Sequence, residues 1–235
     1  EAQIFFQDVE IVRAEDIEFG IDGTSFRVKG TEINLHLPGA FNTENAMAAI
    51  CAGLSEGVDI SIMKKALEKI ILIPGRLESI ENERGLNIII DYAVTPDSLE
   101  KLYELIKKIK ATKKGGKIIS VCGSCGERDQ GKRPLMGKIV SANADCVIVT
   151  NEDPYREDPM QIIEEISKGI QNKTEDKNFW KILDRSEAIK KALRLAESGD
   201  FVIVTGKGAE ETMAIGGETI PWNDKKVIQA ALREL

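Results

Sequence analysis

From Arg76 to the C-terminus, short apolar runs alternate with longer stretches of helical periodicity, and this alternation constrains the fold more than any other feature. Strand-like runs occupy residues 87–91, 117–122, 145–150, 179–183 and 200–205, and helical patterns fill 96–110, 134–143, 159–170 and 186–197. Several of the runs are apolar at almost every position, which a strand tolerates only when helices cover both of its faces. The expected fold class is therefore α/β, a doubly wound, mostly parallel sheet with helices on both sides. Beyond Gly208, residues 212–222 read as a hairpin about Gly216-Gly217, and Asp224 reads as the cap of a last helix.

Residues 1–40 have a different rhythm. Polar and apolar positions alternate in Ser25-Phe-Arg-Val28 and Glu32-Ile-Asn-Leu-His-Leu37, with turns at Asp22-Gly23 and Gly30, as in antiparallel strands. The stretch Gln3-Ile-Phe-Phe6 reads as a further strand. Pro38-Gly39 ends this pattern, and helices are predicted over 43–54 and 61–70, with Asn45 in the first turn of the earlier one, where Asn commonly caps. Ile73-Pro-Gly75 follows the second helix and marks the boundary, dividing the chain into 1–75 and 76–235.

Composition narrows the function. The 235 residues contain 32 Lys plus Arg against 39 Asp plus Glu, a net charge of -7, so the phosphate backbone of a nucleic acid is a disfavoured partner and small polar substrates fit better. No run of eighteen or so apolar residues is present to cross a membrane, and no secretory signal is recognisable, so a cytoplasmic location is expected. The absence of an initiating Met and the start directly on a strand suggest a fragment. Cys122 and Cys125 make one C-x-x-C, but a zinc site needs four ligands and no second pair exists. His36, the only histidine, lies on the polar phase of its strand without a nearby partner.

Ligands of doubly wound sheets bind outside the carboxyl ends of the strands. That singles out the loops at 91–97, 123–137, 151–158 and 206–211. The second is the richest. Its spacing from Gly126 to Lys132 imitates a phosphate-binding loop, but Arg133 stands where Ser or Thr would hold magnesium, and Glu127 and Asp129 would repel a polyphosphate. What is left is a glycine-rich turn at the start of a helix opened by Pro134. It carries Arg128, Lys132 and Arg133 and is suited to one carboxylate or phosphoryl group. A dinucleotide-dependent oxidoreductase is excluded, because Asp91-Tyr-Ala-Val-Thr-Pro96 has no glycine where the fingerprint needs three.

Six motifs then follow one another in a telling order: Gly39-Ala-Phe-Asn-Thr-Glu-Asn-Ala46, Pro74-Gly-Arg76, Asp91-Tyr-Ala-x-Thr-Pro-Asp97, Glu127-Arg-Asp-x-Gly-Lys-Arg-Pro-Leu-Met136, Asp153-Pro154 and Gly206-Lys-Gly-x-Glu210. Together they resemble the Mur ligases, and the fourth resembles the members that add the third residue of the peptidoglycan peptide. The resemblance implies that residues 1–75 are the C-terminal part of a central ATPase domain, and that 76–235 form a Rossmann-like, amino-acid-binding C-terminal domain. It implies an ATP-dependent ligase that activates a carboxylate as an acyl phosphate and joins it to the amine of L-lysine or meso-diaminopimelate. ATP and magnesium would be held mainly by an upstream part, so this chain alone is expected to be inactive. The implied partners are a UDP-N-acetylmuramoyl-dipeptide and a diamino acid, with a monomeric state.

By the same resemblance, Asn45, Arg76 and Asp91 meet ATP, and Arg128 grips the carboxylate of the amino acid. Gly206 and Glu210 meet its far end, and Glu152, Asp153, Pro154 and Tyr155 also contact the amino acid. No catalytic or metal-binding residue is expected within this chain. The family's Asp-Asn-Pro-Arg loop is here Glu152-Asp153-Pro154-Tyr155, so its arginine is lost, and Arg156 next to it would leave in another direction. Val94 and Ala209 stand where the family has histidine. A divergent homologue that binds without catalysing is the alternative.

Overall fold

The computed structural model describes residues 11–20, 23–113 and 116–235. The strand expected at residues 3–6, and Asp22 of the first turn, lie outside the described residues. The chain forms two compact units, Glu1–Leu72 and Ile73–Leu235.

In the first unit β1 (Glu15–Phe19), β2 (Thr24–Val28) and β3 (Thr31–Leu35) make an antiparallel meander. Phe26, Val28, Ile33 and Leu35 point to one face and are buried, and the alternate positions face solvent, as period-two patterning requires. Helix α1 (Phe41–Ser55) packs Ala46 and Ile50, and α2 (Ile60–Leu67) packs Met63, against that face. Asn45 is not a cap. Ala40 is the cap position of α1 and offers no side-chain hydrogen bond, while Asn45 lies one turn in, exposed, and donates from Nδ2 to Asn42 Oδ1 at 3.2 Å. The cap in this unit is Asp59, whose carboxylate accepts from the Ser61 backbone N–H and opens α2.

The second unit is built on a six-stranded sheet. Its strands are β4 (Glu78–Ile80), β5 (Asn87–Asp91), β6 (Ile118–Cys122), β7 (Cys146–Thr150), β8 (Phe179–Ile182) and β9 (Phe201–Thr205), in the order β4-β5-β9-β6-β7-β8. All neighbours are parallel except the edge strand β4, which runs antiparallel to β5 and which the alternation did not reveal. Helices α3 (Pro96–Lys113), α4 (Lys132–Asn143) and α5 (Pro159–Ser167) carry the chain outward and cover one face. Helix α6 (Arg185–Leu195) brings it back over the other face, which it shares with α7 (Asp224–Glu234). Strand β9 thereby enters between β5 and β6, where the direction of winding reverses. This is the position at which such sheets open a crevice.

Two helix starts differ from expectation. Helix α4 begins at Lys132, so Pro134 is its third residue; the first-turn N–H groups have no intrahelical acceptor, so proline costs nothing there. Helix α7 is capped by Asn223, which accepts from the Lys226 N–H, whereas Asp224 turns inward. The hairpin is as expected: β10 (Thr212–Ile215) and β11 (Glu218–Pro221) are joined by Gly216-Gly217, both at positive φ. The units divide at Leu72 and Ile73, ahead of the break expected at Gly75. Gly75 has a φ of +69° and packs without room for a Cβ against the backbone of Gly208 and Ala209, so this turn belongs to the second unit.

Candidate functional site

The register of the sheet brings the carboxyl ends of four strands level. Asp91 pairs with Thr205, Val121 with Val204, and Cys122 with Val149. The loops that leave these ends surround a cleft of about 410 Å³, lined by Tyr92 and Val94 after β5, Cys125, Arg128 and Lys132 after β6, Asp153 and Tyr155 after β7, and Lys207 and Glu210 after β9. The hairpin closes its side through Thr212, Ala214 and Thr219. A second cleft of about 360 Å³ lies beyond Tyr92 and Glu210 and is lined by Pro74, Gly75, Arg76 and Ala209.

Arg128 is exposed at the rim. It donates to the Glu127 carbonyl at 3.1 Å and sits over the Tyr155 ring at 5.4 Å, and among the described residues it pairs with no carboxylate. Arg133, expected in the same anion seat, is elsewhere. It is fully buried and held by Glu165 at 2.6 Å, Glu157 at 2.9 Å and the Cys125 carbonyl at 3.2 Å. An arginine so enclosed ties α4, α5 and the 123–131 loop together and is unavailable to a ligand. Lys132 is half-buried, lines the cleft, and donates to the Val94 carbonyl at 2.9 Å.

Behind Arg128 the charges are locked. Lys207 is 1% exposed, and its ammonium is bonded to the carboxylates of both Asp153 and Glu210. Burial disfavours its charge, but the bonds to those acids outweigh burial and raise its pKa. The other Asp153 oxygen accepts from the Ala214 N–H at 2.7 Å, fastening the hairpin to the sheet, and Asp153 adopts a φ of +37° to do so. Tyr155 also has positive φ, as does Glu127 next to Arg128, so two non-glycine residues of this kind line the cleft and a third adjoins it in sequence. Such backbone persists only where the surroundings enforce it, and it concentrates at functional sites. Glu210 lies against the Tyr92 hydroxyl and pushes its pKa up to about 12.

Glu152, Pro154 and Gly206 stand behind the lining. Glu152 is 1% exposed; its Oε1 accepts from the Cys125 thiol at 3.3 Å, and its Oε2 has no partner among the described residues. Burial raises its pKa, against the pull of Arg185. Gly206, with a φ of +114°, faces that carboxyl group and leaves it the space a Cβ would fill. Pro154 is buried with its carbonyl against Gly126, locking the loops after β6 and β7 together. Cys122 and Cys125 are free thiols whose pKa values burial pushes up to about 12.

At the second cleft Arg76 is exposed, with its guanidinium over the Tyr92 ring at 4.7 Å. Both Asp91 oxygens accept backbone N–H groups, from Leu77 and Ala93, each at 2.9 Å, which pins the turn that presents Arg76. Arg76 and Asp91 are therefore together, and Asn45 belongs to the other unit. Lys207 and Tyr92 are functional-site residues to which the sequence alone assigns no role. The glycines on either side of Lys207 were the available signal, since both adopt positive φ and let its side chain run inward.

The chain is 38% identical over 230 residues to the UDP-N-acetylmuramoyl-L-alanyl-D-glutamate--2,6-diaminopimelate ligase of Clostridium tetani, an alignment covering 95% of this chain and 46% of that protein. It is 40% identical over 203 residues to the UDP-N-acetylmuramyl-tripeptide synthetase of Borreliella burgdorferi, covering 86% of this chain and 39% of that one. A solved UDP-N-acetylmuramoyl-L-alanyl-D-glutamate--2,6-diaminopimelate ligase superposes with a TM-score of 0.63 at 30% identity, over 97% of this chain and 46% of that one. A pseudomurein peptide ligase type C from Methanothermus fervidus shares the fold, with a TM-score of 0.66 at 23% identity, over 96% of this chain and 43% of that one. The chain thus spans about half the length of the relatives it matches. With residues 75–208 matched by the model of the Mur ligase glutamate ligase domain, and with relatives this similar across nearly its whole length, the chain belongs to the Mur ligases.

Proposed function

We propose that this chain is the part of an ATP-dependent ligase that receives the third amino acid of the peptidoglycan peptide, a diamino acid, and presents its amine to the activated carboxylate of a UDP-N-acetylmuramoyl-dipeptide. The observation that carries this reading is Arg128: an exposed guanidinium on the rim of a cleft, stacked on Tyr155 and, among the described residues, without a carboxylate partner. A guanidinium forks onto a carboxylate through two parallel bonds, and the stack on Tyr155 aims it. The amino acid would lie from Arg128 toward Glu210, with its amine exposed for attack. Positioning of this kind is the main contribution a protein makes to such a transfer.

In this reading Arg76 meets a phosphate of ATP from the second cleft, and Asp91 holds the turn beneath it and faces the ribose. ATP activates the acceptor carboxylate as an acyl phosphate. Magnesium and the phosphate-binding loop are supplied by the rest of the protein, and residues 1–75 belong to its ATPase domain. The reaction is cytoplasmic, where ATP is available, and the protein acts as a monomer.

Val94 at the first cleft and Ala209 at the second place small apolar side chains at both, which favours a second reading, a homologue that binds its ligands without joining them. Full-length protein supplied with ATP, the UDP-linked dipeptide and either diamino acid separates the two. Release of phosphate that depends on the amino acid is expected, and ligand binding without release would establish the second reading instead.

A further inference from the structure

The two clefts of the second unit share a wall, since Tyr92 and Glu210 line both. The Tyr92 side chain is half-buried and closely fitted there. A Cβ on Gly208, which has a φ of +53°, would come within 2.9 Å of Tyr92 Cδ2 and 3.1 Å of Tyr92 Cβ. Gly75 in turn has no room for a Cβ against the backbone of Gly208 and Ala209. Two glycines thus let the turn that carries Arg76, the loop that carries Glu210 and the Tyr92 ring pack directly on one another.

The face and the tip of this ring meet different partners. The face carries the Arg76 guanidinium at 4.7 Å. Arg76 is exposed, and Asp91, the acid that attracts it, spends both oxygens on the Leu77 and Ala93 N–H groups, so the ring is what steadies the guanidinium. The hydroxyl at the tip lies against Glu210, which is also bonded to Lys207. With its pKa pushed up to about 12, the phenol keeps its proton at neutral pH and can donate it to that carboxylate. Resting on the function proposed above, we propose that Tyr92 is a positioning residue shared by the two clefts: its ring aims Arg76 at a phosphate of ATP, and its hydroxyl aims Glu210 at the far end of the amino acid. Phenylalanine could do only the first of these, and leucine neither.

The test is steady-state kinetics of the full-length protein with ATP, the UDP-linked dipeptide and whichever of meso-diaminopimelate and L-lysine the wild type uses, for the wild type, Tyr92→Phe and Tyr92→Leu. Tyr92→Phe should raise the KM for the amino acid about three- to tenfold, the weight of one hydrogen bond, and leave that for ATP unchanged. Tyr92→Leu should raise the KM for ATP as well, by about two- to fivefold, the weight of an exposed cation–π contact. A residue that only packed the wall would move both KM values together in each variant. Tyr92→Phe fills the same space beside Gly208, so its split does not depend on how well the leucine variant folds. Equal shifts, or none, in Tyr92→Phe, or an unchanged KM for ATP in Tyr92→Leu, would overturn the shared role and leave the proposed function standing. A wild type that releases no phosphate with either amino acid would overturn both.

Discussion

Arg185 and Asp224 form a bidentate ion pair beneath the floor of the cleft, with Nε to Oδ1 at 2.8 Å and Nη2 to Oδ2 at 2.6 Å, and both side chains are buried. The remaining Arg185 donors reach the Asn151 carbonyl at 3.3 Å and the Thr205 carbonyl at 2.8 Å, so one guanidinium fastens the ends of β7 and β9 to the start of α7. Removing one partner of such a pair leaves the other charged and unpaired in the interior. Asp224→Ala is expected to cost about 3–5 kcal/mol, including the bond from Trp222 Nε1, measured by urea unfolding. A loss below about 1 kcal/mol would show that water reaches Arg185.

At the rim, Arg128→Ala in the full-length protein should raise the KM for the amino acid by about ten- to a hundredfold, the equivalent of about 1.5–3 kcal/mol, and leave that for ATP nearly unchanged. Arg128→Lys should recover only part, since the fork and the stack on Tyr155 are lost. Equal effects on both substrates would refute the role given to this residue.

Gly206→Ala tests the space kept for Glu152. The new Cβ would enter the volume of the Glu152 carboxyl group at a φ of +114° that alanine does not adopt without strain. A destabilisation of about 1–3 kcal/mol from the backbone alone is expected, more if the buried carboxyl cannot move, and thermal unfolding reads it. An unchanged melting temperature would mean that this loop relaxes freely.

The pH dependence of stability carries the signature of Glu152. Burial raises its pKa in the folded chain above the usual 4.5, against the pull of Arg185, so the folded state holds this proton longer than the unfolded one. The resulting stabilisation is present below pH 4.5 and is lost as pH rises through the folded value. Glu152→Gln removes the titration and should therefore fall less in stability than the wild type between pH 5 and 8, compared by urea unfolding at about those two values. Parallel profiles would show that Glu152 keeps its ordinary pKa.

Much of the fold was visible in the order of residues. Runs such as Ile88-Ile-Ile90 and Val147-Ile-Val149 have no polar phase, so they can only be strands covered on both sides, and that alone implies helices on two faces. Asp158-Pro159 likewise marks a helix start without any knowledge of packing, by a capping carboxylate and a fixed φ. The edge strand β4 was missed because three residues with a buried Glu78 show no period; that glutamate is retained only because Lys225 and the Gly75 N–H come to it from elsewhere.

The loops that line the cleft, their glycines and their basic residues were determined by sequence alone, because a parallel sheet gathers the segments that follow its strands at one edge. The division of labour among the charges was not. Arg128 and Arg133 are close in sequence and alike in chemistry, yet one faces solvent over Tyr155 and the other is enclosed by Glu157 and Glu165. Only the tertiary structure separates them, because which cation remains free depends on which acids distant helices and loops bring within bonding distance. The same holds for Lys207, which reaches Asp153 because β6 alone separates β9 from β7, and for Lys132, which meets the Val94 carbonyl.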